Sequence, residues 1–268
     1  DILIGIKPNL VVAKPAYLGA TTDPRIVSAV IEYLKSHGYH NIVIIESSWV
    51  GDDTKRAYKL CGYEEISIKY DVPLIDLKDD NYSSYGEEPI IKICDRAMEV
   101  DFLIKMPVLK AHCRTRVTCA LKNLKGCIPD REKRRFHTMG LHEPIAWLNK
   151  FLKSHLIIVD GIDGDLTFEE GGTPVSMNRI IMGVDPVLID SYAAQLIGYS
   201  KDDVEYIRIA EDLGVGSTTL DRTNILNLND GKEDMNIVQN RDNIEYLSRY
   251  VCSKDACSAC YGSLIHAL

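Results

Sequence analysis

No stretch of this chain approaches the roughly eighteen consecutive apolar residues of a membrane-spanning helix, so no membrane span is expected. There is no Walker-type phosphate loop and no G-x-G-x-x-G fingerprint, so neither P-loop phosphoryl transfer nor a standard dinucleotide site is supported. Positive charge is not in excess: 31 Lys and Arg against 39 Asp and Glu give a net charge of −8, which argues against general nucleic-acid binding. Internal repeats and low-complexity tracts are missing as well. No secretory leader is visible, and the expected compartment is the cytoplasm.

What is present is enough for a substantial core: 268 residues with a hydrophobic fraction of 46%. A chain of this size does not need disulfides to fold. Its eight cysteines are mostly scattered, as free thiols in a reducing compartment are, and only Cys252, Cys257 and Cys260 cluster.

Strand-like and helix-like runs alternate. Residues 2–6 read as a strand. Thr22, Asp23 and Pro24 then start a helix with apolar residues at helical period, closed by Gly38. Residues 41–46, 72–77, 101–106 and 156–160 read as further strands, and 224–228 as a late one. Residues 143–153, 185–197 and 201–213 read as helices. The pattern predicts an α/β fold with a mainly parallel sheet and helices on both faces. It is read as one domain over 1–268, with two lobes (about 1–165 and 166–250) around a cleft and a cysteine-containing segment, 251–268. Such sheets carry function in loops at the carboxyl ends of strands. Lys7 to Asn9, Glu46 to Ser48, and Lys110 to His112 all fall there. Taken singly, the first is also a simple turn and Glu46 also a cap.

Charge is unevenly spread. Residues 105–135 hold ten Lys and Arg against Asp130 and Glu132 alone, and no acid occurs from 106 to 129. A basic island on an acidic protein suggests a site for a small anion; a solvated basic face is the plain alternative. Read as a helix, 114–125 would put Thr115, Thr118, Lys122 and Lys125 on one side and Val117, Ala120, Leu121 and Leu124 on the other. His137 would follow a basic loop. Histidine moves protons near neutral pH, and a lysine crowded by other cations can act as a nucleophile. His137 could also bind a metal.

Cys252, Cys257 and Cys260 contain a C-x-x-C core suited to thiolate metal or iron–sulfur binding, one ligand short of a usual cluster. Bare thiols are the alternative.

The segments IKPNLV (6–11), TTDP (21–24), LKAH (109–112), TRVTCALKNLKG (115–126), VDGI (159–162) and GVDPVLID (183–190), with His137, together resemble one family. It is the prokaryotic "domain of unknown function 362" family, whose members are sometimes fused to ferredoxin-like iron–sulfur modules. The resemblance covers nearly the whole chain. A more distant likeness is to nickel-dependent lactate racemase. That likeness would make Lys7 a strand-end basic residue, His112 a catalytic histidine, Lys122 the carrier of a covalent nickel-containing nucleotide and His137 a nickel ligand. Glu46 stands where that family has its other catalytic histidine, and Asn123 and Leu124 replace glycines that flank its cofactor lysine.

These readings converge on an enzyme acting on a small carboxylate-bearing molecule, with racemase-, isomerase- or lyase-like chemistry. Lys7, Asn9, Lys110, Thr115 and Thr118 are expected to bind the substrate. His112 is the expected acid/base, Glu46 a second one, and Lys122 the holder of a cofactor or intermediate. His137 and the three C-terminal cysteines are the candidate metal ligands, for a nickel-type cofactor or an iron–sulfur cluster. The alternative is an iron–sulfur electron-transfer or metal-binding protein that meets a redox partner.

Overall fold

The computed structural model describes residues 2–166, 169–219 and 225–228. The chain builds β1 (Ile4–Pro8), α1 (Pro24–Ser36), β2 (Ile42–Glu46), α2 (Thr54–Leu60), α3 (Tyr63–Tyr70) and β3 (Leu74–Asp76). A hairpin of β4 (Tyr82–Tyr85) and β5 (Ile91–Cys94) follows, then α4 (Asp95–Met98) and β6 (Phe102–Met106). A second small hairpin pairs β7 (Lys110–His112) with β8 (Arg116–Thr118) and leads to α5 (Ala120–Asn123), α6 (Asp130–Met139) and α7 (His142–Phe151). The described part ends with β9 (Leu156–Asp165), β10 (Pro174–Gly183), α8 (Pro186–Leu196) and α9 (Glu205–Asp212).

One six-stranded sheet, in the order β10-β9-β6-β1-β2-β3, forms the centre. All its pairings are parallel except β9 with β10. The sheet therefore carries strands from both sides of residue 165. Alternation along the strands divides the core in two, because successive side chains point to opposite faces. Ile4, Ile6, Ile44, Ile104 and Met106 pack with residues of α1, α2 and α3. Leu103, Ile157 and Val159 pack on the other face with residues of α5, α7, α8 and α9. At the start of α1, Asp23 accepts the backbone N–H of Arg25 at 2.8 Å, and Pro24 needs no partner in the first turn.

Three expectations change. Residues 114–125 are not one helix: 114–118 belong to the β7–β8 hairpin, and only Ala120–Asn123 is α-helical, followed by a 3-10 turn, Leu124–Cys127. The β-branched Val117 and Thr118 fit a pleated strand, Thr115 closes the turn, and Arg116 takes φ 63° as the first residue of β8. The basic loop before His137 is instead α6, whose first turn holds Asp130 and Glu132 near the positive end of the helix dipole. Residues 225–228 form no strand.

Candidate active site

A cleft of about 440 Å³ opens where β1 and β2 end, and the β7–β8 hairpin, the turn after α5, α6 and the β9–β10 connection close around it. Of the residues singled out in the sequence, Lys7, Asn9, Glu46, His112, Thr118, Lys122 and His137 line it. Two do not. Lys110 is fully buried, and its Nζ donates to the carbonyls of Ala20 (2.8 Å) and Glu169 (3.0 Å), so it ties the β9–β10 connection to the loop before α1. Thr115 is buried too; its hydroxyl donates to the Val117 carbonyl. Cys252, Cys257 and Cys260 lie outside the described residues.

The strand ends supply the first pair. Glu46 and Lys7 meet at 2.7 Å. Glu46 also accepts the backbone N–H groups of Ser47 (2.7 Å) and Leu10 (2.8 Å). With one oxygen shared by Lys7 and Ser47 and the other held by Leu10, this carboxylate is an anchor for Lys7 rather than an open base. Asn9 is fixed nearby: its N–H donates to Thr22, whose hydroxyl donates in turn to Met106 at the end of β6.

The hairpin supplies the second group. His112 Nδ1 accepts the N–H groups of Thr115 (3.0 Å) and Arg114 (3.2 Å). The ring proton is thereby assigned to Nε2, which lies 3.1 Å from Glu169 Oε2. Burial and the Lys122 ammonium push the His112 imidazole down to about 4, so it is neutral and acts as a donor. Lys122 donates to Glu169 at 2.7 Å and to the Thr118 hydroxyl at 2.9 Å. Burial alone would raise the Glu169 carboxyl, but Lys122 and His112 hold it well below the usual range. Its neighbour Glu170 also lines the cleft, and burial together with the Glu169 charge pushes that carboxyl up.

One face of α6 completes the wall. Lys133, Arg134, His137 and Thr138 are spaced three and four apart and all line the cleft. Lys133 Nζ is held by Asp130 (3.0 Å) and by the carbonyls of Ser47 and Ser48. Lys125, in the turn after α5, sits 3.3 Å from His137 Nε2. Burial and nearby Lys122 bring the Lys125 ammonium down to about 7, and burial and Lys125 bring His137 to about 3. Five basic side chains thus line the cleft with three acidic ones, Glu46, Glu169 and Glu170. Lys7, Lys122 and Lys133 each have a carboxylate partner; among the described residues Lys125 and Arg134 have none.

No three His, Cys, Asp or Glu side chains among the described residues converge as a metal-binding set. Lys122 is engaged by Glu169 and Thr118.

Glu169 and Glu170 were not singled out in the sequence, where the Gly-rich stretch around them reads as a boundary. The available signal was a pair of adjacent acids beside Gly171 and Gly172. Asp190 was also missed. It is fully buried and accepts the N–H groups of Ala120 (2.6 Å) and Leu121 (3.1 Å), fixing the start of the helix that carries Lys122.

The family model for "domain of unknown function (DUF362)" matches residues 4–195, and the chain belongs to that family. A thylakoid-associated protein of Synechocystis sp. is 22% identical over 233 residues, covering 81% of this chain and 70% of that protein. The lactate racemase apoprotein from Thermoanaerobacterium thermosaccharolyticum superposes with a TM-score of 0.45 and 13% identity, over 59% of this chain. The aligned part is 42% of that structure, so this chain matches less than half of it. No helix of the described residues is long and apolar enough to cross a membrane.

Proposed function

We propose that this family member is an enzyme that binds a small carboxylate-bearing molecule in the cleft and moves a proton on the carbon next to its carboxylate or carbonyl group. The observation that carries the reading is the charge balance. Lys125 and Arg134 face the cleft without a carboxylate partner among the described residues, while the other three lysines are neutralised. A substrate anion supplies the missing charge. Arginine suits a carboxylate especially, through paired N–H donors. Glu169 supports the choice of anion, because Lys122, His112 and Thr118 already hold its carboxylate.

Glu169 and Glu170 are adjacent carboxyls whose environments drive them apart, one down and one up. Such divergence separates a fixed charge from a proton carrier. Glu169 is the fixed charge, oriented by His112 and Lys122. Glu170 accepts and returns the proton. His112 is then a positioning donor rather than the base, because two backbone amides occupy its Nδ1. Lys7, kept in place by Glu46, adds positive potential at the strand end. The reaction class is racemisation, isomerisation or elimination.

Exchange of solvent deuterium into pyruvate and lactate, followed by proton NMR, tests this chemistry. Wild-type protein is expected to catalyse exchange at the activated carbon of at least one of them. Glu170→Gln is expected to slow it by about a hundredfold, the usual scale for a general base. Exchange that is unaffected in Glu170→Gln removes the residue from the mechanism.

A further inference from the structure

Lys125 stands apart from every other lysine of the cleft. Lys7, Lys122 and Lys133 each contact a carboxylate, at 2.7, 2.7 and 3.0 Å. Lys125 contacts the imidazole of His137 instead, at 3.3 Å. The charged groups around it are Lys122 from α5, Lys133 from α6 and Glu169 from the β9–β10 connection, so two cations crowd it against one anion already engaged by Lys122. The amine lines a cavity large enough for a small organic molecule, and Arg134 on the same wall is available for a carboxylate. Two other lysines are more deeply enclosed, Lys105 and Lys110. Neither lines the cleft, and each spends its donors on protein oxygens, Asn149 for the first and two carbonyls for the second.

We propose that Lys125 is the nucleophile of a covalent step, forming an imine with the carbonyl carbon of a small carboxylate-bearing aldehyde or ketone, with 2-oxo acids the simplest class. The inference rests on the carboxylate reading above and adds the reactive group. The Nζ lone pair attacks the carbonyl carbon, and the carbonyl oxygen takes up the proton that the nitrogen gives away, leaving a carbinolamine. The hydroxyl then departs as water with one further proton while the C=N bond forms. One carbonyl compound, one amine and one proton become one iminium and one water, with no change of oxidation state. His137, neutral and in contact with Nζ, passes these protons. The iminium draws electrons from the neighbouring C–H bond, which makes removal of its proton feasible for a carboxylate base.

The test is reductive trapping of the full chain with pyruvate and sodium borohydride, read by intact mass and peptide mapping. Oxalate binding to the same preparation is measured in parallel by calorimetry. The expected result is one reduced adduct per chain, mapped to Lys125 and lost in Lys125→Arg protein that melts like the wild type. Protein that binds oxalate but gives no adduct, or an adduct at another lysine, overturns the inference and leaves the carboxylate reading intact. Protein that binds no oxalate yet is trapped at Lys125 by neutral acetaldehyde overturns the carboxylate reading and keeps the nucleophile.

Discussion

Lys7 and Glu46 leave neighbouring parallel strands and close a 2.7 Å ion pair whose side chains are only 1% and 3% exposed. Removing one partner of such a pair strands the other charge away from water, which costs about 3–5 kcal/mol. Glu46→Gln is therefore expected to lower unfolding stability by that amount in a urea titration. A loss below about 1 kcal/mol, the scale of exposed pairs, would mean that water reaches Lys7 in the folded protein.

Gly126 packs directly on this pair. A β-carbon there would overlap Glu46 Oε1 and come within 2.6 Å of Lys7 Nζ. The glycine is thus required by close approach. Gly126→Ala is expected to cost about 1–3 kcal/mol, the usual penalty of overpacking, and to weaken carboxylate binding by displacing Lys7. Wild-type stability together with wild-type affinity in this variant would contradict the packing described.

His112 gives a pH prediction with a definite sign. Its imidazole takes a proton near 6.5 in the unfolded chain but only near 4 in the folded one. The stability it contributes is therefore complete above about pH 6.5 and is lost as pH falls toward 4. Nitrogen-15 NMR of the ring should show the Nε2–H tautomer, unchanged between pH 8 and 5. Titration near 6.5, or a proton on Nδ1, would show that the Arg114 and Thr115 amides do not hold the ring.

The fold was largely legible in the sequence because the sheet strands are short apolar runs and α1 carries both a cap and a proline at its start. The cleft lining was legible at strand ends, as with Lys7 and Glu46, and in the acid-free basic segment, as with His112 and Lys122. It was not legible where tertiary partners decide. Nothing local tells that Lys110 points at two carbonyls, or that Asp190, seventy residues away, caps Ala120. Helical periodicity in 114–125 was coincidental: the apolar residues fit a helix, but β-branched residues at 117 and 118 fit the hairpin better. Glu169 and Glu170 were hidden because a connection between antiparallel strands has no periodicity to read.

The central claim is that the cleft holds a small carboxylate at Arg134. Calorimetric titration with oxalate at low ionic strength, in wild-type and Arg134→Ala protein, tests it most directly. Arg134 is exposed, so its removal should leave the fold intact. The account predicts one saturable site that weakens with added salt and loses about tenfold or more in affinity in the variant, the scale of a charge-assisted hydrogen bond. No binding, or equal affinity in the two proteins at every salt concentration, would contradict it.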